Sequence, residues 1–447
     1  MNTDGDYPRV LIVNVHFSEN SGSGTFLGRL FTGWPAANLA TIGGGPEALD
    51  LRRCERHYQI GELRFPIQQL SNLLKSGIQL GPYTPPRVAT IPQLAVAPAP
   101  RPSIVTRIAR IFWRRLLRHT VSGEVLYKQE PSPQLLTWAR EFNADVIYGH
   151  CSSLSEVILL KRLQKSLGLP MVLHFMDDWS GTKYRKGWLG KRLRSRFEVG
   201  FRELLQAADC IIAICGEMAE AYQNRYQRSV LWLPMPVELD VYRDASRSQW
   251  STGQTFSIRY GGRVGWAVRE SLADLATAIE SLRVERANVV FKIATFDTES
   301  VPGSCLIASG VSLEVPGPLA ELPRLQANAD VLVICYDFDI ESINQAKYSM
   351  PSKLADCLAS GTPILVYAPT GLPAVEYARR EGWGIVVDKR DPVALKAALQ
   401  ELMDSEILRE KLGRTAKRLA AELHDGKIAS ERLRIIFQDV VINRRMH

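Results

Sequence analysis

Apolar positions along this chain fall into short continuous runs that alternate with segments of helical spacing. "VLIVNV" (Val10–Val15) is a run of the kind a central parallel strand needs, buried on both faces. A loop with Gly22 and Gly24 follows, and then Phe26, Leu27, Leu30 and Phe31 recur at the period of an amphipathic helix. From Ala144 the alternation is regular: "ADVIYGH", a helix ending at Gly168, "PMVLHF", a basic helix, "ADCIIAI", the helix "GEMAEAYQNRY" and the strand "SVLWLP". Strand and helix in turn, joined by short loops, predict a doubly wound parallel sheet. Pro234, Pro236 and the polar stretch Arg243–Thr255 mark a boundary. The pattern then restarts with "FSIRYGGRV", a helix from about Arg269 to Leu282, "NVVFKIA", "VSLEV", "LAELPRLQANA", "DVLVICY", "ILVY" and "GIVVD". The expected fold class is α/β, with two Rossmann-like doubly wound domains facing a cleft, over residues 1–238 and 255–425. A last helix over 426–447 carries Leu433, Ile436, Phe437, Val440 and Val441 along one face, so it needs a surface to dock on, and the first domain is the expected one.

Composition narrows the class. The chain has 447 residues, 46% of them hydrophobic and 23% charged, enough for two or three cores and ordinary for a globular protein. Its cysteines, seven in all, sit at irregular spacings with no CxxC pair, which argues for reduced thiols and against a disulfide frame or a zinc site. The start, "MNTDGDYPR", is polar and acidic, unlike a secretory signal, and no apolar run approaches the ~20 residues of a membrane span. A cytoplasmic protein, soluble or peripheral, is expected. Net charge is +8, but its placement is more informative. Residues 81–102 hold seven prolines and read as an extended loop. The segment 103–120 then puts Ile104, Val105, Ile108, Ile111, Phe112, Leu116 and Leu117 at helical spacing, with Arg107, Arg110, Arg114 and Arg118 off that stripe and no acid. A basic amphipathic helix of this kind suits an anionic membrane surface. Packing against a core with a solvated basic face is the plainer alternative. Nucleic acid is disfavoured, since no binding motif accompanies the charge. A second basic run without acids spans Lys183–Arg196.

The densest candidate chemistry lies in "YSMPSKLADCLASGTP" (Tyr348–Pro363). A proline-limited polar turn over Ser349–Lys353 leads into a short helix with Leu354, Ala355, Leu358 and Ala359 on its apolar side; Pro351 suits the first helical turn, and the N–H groups of Ser352 and Lys353 beyond it would favour an anion such as a phosphate. Asp177 and Asp178, in "MDDWS", directly follow a strand, at the end where such sheets bind ligands. Solvated or capping roles are the plainer reading of both acids. The loop around Gly22 and Gly24 allows close backbone approach to a ligand, although it is neither a GxGxxG fingerprint nor a P-loop.

"YSMPSKLADCLASGTPILVY", preceded by "DVLVICYDF" and followed by "GIVV" and "LREKLGRTAKRLAAELHD", resembles the nucleotide-sugar half of retaining glycosyltransferases of family 4, which have the GT-B fold. "VLIVNVHFSENSGSGTFLGRLFTGWP" and "LPMVLHFMDDW" are similar to the first half of bacterial polysaccharide glycosyltransferases. The resemblance covers nearly the whole chain outside the proline-rich loop. It implies a nucleotide-sugar donor as co-substrate with no other cofactor, and a saccharide or lipid-linked acceptor. Arg263 matches the arginine of the family's phosphate segment and Arg269 stands one residue beyond its lysine. With Ser352 and Lys353 they would cradle the diphosphate without a metal, and guanidinium groups suit that task. "DFD" (Asp337–Asp339) is a DxD motif by spelling only. Asp356 matches the family's second glutamate, which would accept the ribose hydroxyls. The first glutamate position holds Tyr348, so the sequence departs from the pattern at the group that grips the sugar; Glu341 stands too far away in sequence to take its place by alignment and is expected only to line the donor pocket. Asp177 matches the aspartate of a His-Asp pair that family members often have at this strand end, with Met176 in the histidine's place; Asp177, with Asp178 and His174 behind it, is the expected group for orienting the acceptor hydroxyl or contacting the transferred sugar, and Gly22 and Gly24 match the glycine loop facing the acceptor and the donor phosphates. The activity implied is sugar transfer at the inner membrane face during bacterial surface-polysaccharide synthesis. A nucleotide-sugar epimerase and a non-catalytic nucleotide-sugar-binding protein are the alternatives, because a shared architecture does not fix the activity.

Overall fold

The computed structural model describes residues 7–18, 21–43, 49–60, 81–82, 131–185, 187–265 and 267–446. The basic segment 103–120 and nearly all of the proline-rich stretch lie outside these residues.

The first sheet contains β1 (Val10–Val13), β2 (Leu39–Gly43), β3 (Arg56–Gln59), β4 (Gly81–Pro82), β5 (Val146–Gly149), β6 (Met171–Phe175), β7 (Cys210–Ala213) and β8 (Leu231–Trp232). Their order is β4-β3-β2-β1-β5-β6-β7-β8, parallel except at the β3–β4 edge. Its helices are α1 (Gly22–Leu30), α2 (Pro133–Phe142), α3 (Leu154–Leu167), α4 (Trp179–Thr182), α5 (Gly187–Ala207) and α6 (Gly216–Tyr226). Local chemistry sets their ends. Ser132 caps α2 ahead of Pro133, and Ser153 caps α3, which stops where Gly168 turns left-handed at φ 70°. The glycine loop expected before Phe26 is instead the first turn of α1, because the Ser21 hydroxyl accepts the Gly24 N–H and starts the helix early.

The second sheet contains β9 (Phe256–Gly261), β10 (Val289–Ala294), β11 (Val311–Glu314), β12 (Val331–Cys335), β13 (Ile364–Tyr367) and β14 (Gly384–Val387). Its order, β11-β10-β9-β12-β13-β14, is all parallel and is the Rossmann order 3-2-1-4-5-6. Around it lie α7 (Arg269–Glu285), α8 (Gly303–Ile307), α9 (Leu322–Ala327), α10 (Ile340–Ala346), α11 (Leu354–Ser360), α12 (Pro373–Glu381), α13 (Pro392–Asp404) and α14 (Glu406–Leu423). The continuous apolar runs are explained by burial on both faces: Val331, Val333 and Cys335 of β12 join one apolar cluster, Leu332 and Ile334 the other.

The second of these clusters continues into the first domain. The final helix, α15 (Gly426–Met446), lies on that domain, with Phe437 seated among Phe31, Trp34 and Tyr148 at ring-centre distances of 5.8–6.2 Å. Ser430 Oγ donates to the Thr32 carbonyl at 2.7 Å. No helix among the described residues is long and apolar enough to cross a membrane.

Candidate active site

The carboxyl ends of the two sheets meet through a small set of contacts. On the first domain, the two adjacent acids beyond β6 diverge in role. Asp177 is half-buried, and its Oδ1 accepts the Ser349 hydroxyl from the second domain at 2.7 Å. Asp178 is buried and receives Arg225 through both oxygens at 2.9 and 3.0 Å, with Ser180 Oγ, Tyr222 OH and the Gly181 N–H also donating. Burial opposes ionisation of Asp178, but Arg225 and the other donors outweigh it and hold the carboxyl below its ordinary value. A carboxylate so fully engaged orders the loop behind Asp177 and does not present a free oxygen to an acceptor.

His174, on β6, is fully buried; Tyr148 OH lies 2.8 Å from its Nδ1, and its Nε2 has no partner among the described residues. Burial, with His150 nearby, pushes its pKa down to about 3, so the ring is neutral and structural. The neighbouring His150 was not singled out from the sequence. It follows the end of β5, beside β1, where the strand order reverses, and its Nδ1 is fixed by the His174 carbonyl at 3.1 Å. Asn14, left-handed at φ 71°, ties these strand ends together by donating to the His150 carbonyl at 2.7 Å. Of the two glycines, Gly22 faces open space, whereas a Cβ on Gly24 would stand 2.6 Å from the Ser18 backbone. Gly24 is thus a packing requirement, and Gly22 alone leaves room for a ligand.

On the second domain, β9 runs into a loop that turns at Gly262 (φ 144°) and carries Arg263 and Arg269, both exposed. Tyr260 OH donates to the Arg263 carbonyl at 2.6 Å, and Lys353 Nζ sits 3.6 Å over the Tyr260 ring. Burial pushes the Lys353 pKa down. None of these three cations has a carboxylate within 4.0 Å among the described residues. The loop is anchored by a residue the sequence reading had set aside. Buried Asp337 accepts the Ser271 N–H at 2.7 Å through Oδ1 and donates its own N–H to the Ala267 carbonyl at 2.8 Å. Its Oδ2 has no partner among the described residues, and burial raises its pKa. Asp339 caps α10 by accepting the N–H groups of Glu341 and Ser342 at 2.9 and 3.0 Å. Both acids of "DFD" are therefore helix-anchoring groups, and Glu341 is exposed in the first turn of α10.

In "YSMPSKLADC" the polar turn expected ahead of the short helix is present, and it keeps Pro351 out of the first helical turn. Pro351 lies in a turn closed by the Leu354 N–H on its carbonyl at 2.9 Å, so α11 begins three residues later, and exposed Ser352 sits in that turn. Asp356 is buried and takes Arg29 of α1 through both oxygens at 2.8 Å, together with Tyr242 OH at 2.9 Å. The carboxylate expected on the ribose is instead engaged between the domains. Tyr348 also faces the first domain: its carbonyl accepts Cys215 Sγ at 3.7 Å, and Arg225 lies 5.9 Å from its ring centre.

Two family models match the chain: "Glycosyltransferase Family 4" over residues 88–240 and "Glycosyl transferases group 1" over 255–405. The chain belongs to glycosyltransferase family 4. This transferase has the GT-B fold, and it is a retaining enzyme that takes its sugar from a nucleotide-sugar. Among solved structures it is similar to sucrose-phosphate synthase from Thermosynechococcus elongatus, with 13% identity, a TM-score of 0.61, and 97% of this chain and 99% of that one covered. HepE of Anabaena, solved in complex with UDP and glucose, gives 11% identity, a TM-score of 0.60 and coverage of 97% and 100%. WaaG, a glycosyltransferase involved in lipopolysaccharide biosynthesis, gives 14% identity, a TM-score of 0.55 and coverage of 96% and 99%. At these identities the likenesses establish the transferase's fold. No curated protein matches its sequence.

Proposed function

We propose that the transferase moves its sugar to a hydroxyl of a lipid-linked saccharide at the inner face of the cytoplasmic membrane, in bacterial surface-polysaccharide synthesis. The observation that carries the donor half of this reading is the group Arg263, Arg269 and Lys353 around the end of β9, cations without an acid partner among the described residues. Charge that develops on a departing diphosphate is stabilised by fixed cations already in place. Phe296 and Val315, 77% and 71% exposed just past β10 and β11, offer the same cleft an apolar face for the nucleobase. Across the cleft, His150 and the free oxygen of Asp177 are the polar groups that would hold the transferred sugar and the acceptor hydroxyl. In a front-side displacement the bond from the anomeric carbon to the diphosphate oxygen breaks as the acceptor oxygen bonds the same face. The acceptor's proton passes to the departing phosphate oxygen. The lipid-linked acceptor is supported by the sequence resemblance and by the arginine-rich segment 103–120, each basic residue near an anionic surface adding about 1 kcal/mol.

A thermal-shift screen with nucleoside diphosphates and nucleotide-sugars tests the donor site. A ligand at 100 times its dissociation constant is expected to stabilise the fold by about 2.7 kcal/mol, and Arg263→Ala is expected to remove the shift. A well-folded protein that responds to no nucleotide sinks the assignment. Transfer to soluble saccharides with none to any lipid-linked acceptor would overturn the acceptor assignment.

A further inference from the structure

We infer that the exposed face of α5 docks the transferase on an anionic bilayer surface. This deepens the proposed action on a lipid-linked acceptor and adds a surface separate from the 103–120 segment. Helix α5 buries Leu193, Phe197, Phe201, Leu204 and Leu205 against the first sheet. On its opposite side Lys191, Arg192, Arg196 and Arg202 are all exposed, with Val199 (56% exposed) between them. The helix has two acids, and both are already taken: Glu198 by Arg194 at 2.9 Å, and Glu203 by Lys161. None of the four exposed cations has a carboxylate within 4.0 Å among the described residues.

Several basic residues on α14 and α15 are compensated instead. On α14 and α15, Arg414, Arg418 and Arg434 pair with Glu410, Glu422 and Glu431 at 2.6–2.7 Å, one helical turn away. Leaving one helix face uncompensated costs self-repulsion unless an external anion neutralises it. The position also fits. The residues that lead into α5 come directly from the end of β6, after Asp177 and α4, so the helix starts beside the acceptor side of the cleft and runs away from it. A bilayer against this face would lie next to the site that receives a lipid-borne hydroxyl. Among the described positions of this face there is one exposed valine and no exposed aromatic residue, which suits electrostatic adsorption to lipid headgroups better than base stacking with single-stranded nucleic acid.

Vesicle flotation of the full chain tests the inference, using phosphatidylcholine alone or mixed with phosphatidylglycerol, at low and high salt. The expected result is flotation with the anionic vesicles only, lost at high salt. In the variant Lys191→Gln/Arg192→Gln/Arg196→Gln/Arg202→Gln, partitioning should fall about fivefold per charge removed. Gln keeps the first two methylenes of each stem, so the melting temperature should fall only slightly, through loss of the Arg202 contact 5.3 Å from the Tyr226 ring centre. A parallel variant, Arg107→Gln/Arg110→Gln/Arg114→Gln/Arg118→Gln, reports on the other basic segment. If the α5 variant floats as well as the parent, or the parent floats equally with phosphatidylcholine, the α5 assignment is overturned. Tighter binding to a DNA duplex than to anionic vesicles at equal salt overturns it too, and marks a nucleic-acid surface. The readout is binding alone, so failure here leaves sugar transfer standing, and a failed nucleotide screen leaves the docking face standing.

Discussion

At the scale of single residues, burial decides which of the candidate groups can carry a proton. His174 and His57 are both buried, and burial pushes their pKa values down to about 3 and about 4, with His150 and His16 adding to the effect. The unfolded chain binds a proton at each histidine near pH 6.5, so stability is full above that value and is lost as pH falls toward the folded pKa. For His174 the loss between pH 7 and pH 5 is about 2 kcal/mol. His174→Gln should be less stable at pH 7, where it weakens the Tyr148 contact, yet its urea midpoint should fall less between pH 7 and pH 5 than the parent's. Equal falls in the two proteins would show that His174 is not held neutral by the fold. The same burial separates Asp178 from Asp177. Adjacent acids after a strand look alike in sequence, and only the arrival of Arg225 from α6, 47 positions later, turns one of them into an internal anchor.

The elements were the most legible part of the chain. Alternating apolar runs predicted both doubly wound sheets, and the restart after Thr255 located the second one. Strands β2 and β3 were less visible, since "LATIG" and "RHYQ" are short and lack a continuous apolar run. The start of α1 was misplaced because a side chain takes one of its first N–H groups: the Ser21 hydroxyl accepts the Gly24 N–H and draws the helix back to Gly22. Asp337 belongs to the same class of long-range effect. Its carboxylate caps α7 from the end of β12, a pairing that spacing cannot reveal. Asp337→Ala should release the loop that carries Arg263 and Arg269, raising the donor KM roughly tenfold while kcat changes less, as expected when ground-state grip is lost. Asp337→Asn keeps an acceptor for the Ser271 N–H and should recover most of that loss. If the alanine variant binds donor normally, the loop is held by something other than this cap.

For the molecule as a whole, the two domains are joined by more than their linker. Arg29 and Asp356 meet from α1 and α11 with 14% and 7% of their side chains exposed, and Tyr242 of the linker adds its hydroxyl to the same carboxylate. A carboxylate at this position resembles the family's ribose acceptor, but in this structure its two oxygens serve the domain interface. Geometry and template thus assign Asp356 different partners, and a thermodynamic cycle separates them. Arg29→Met removes the cation and leaves a buried carboxylate with a single phenol donor, which should destabilise the protein by about 3–5 kcal/mol. Removing both charges, in Arg29→Met/Asp356→Leu, should restore most of that stability, because an apolar pair of similar volume carries no desolvation cost. Additive losses in the double variant would mean that the pair is not coupled. Nucleotide affinity supplies the second axis. If Asp356 serves only the interface, Arg29→Met should bind nucleoside diphosphate as the parent does. If the carboxylate is shared with the ribose, freeing it from Arg29 should tighten nucleotide binding even as the fold weakens, since the ligand no longer has to displace the guanidinium.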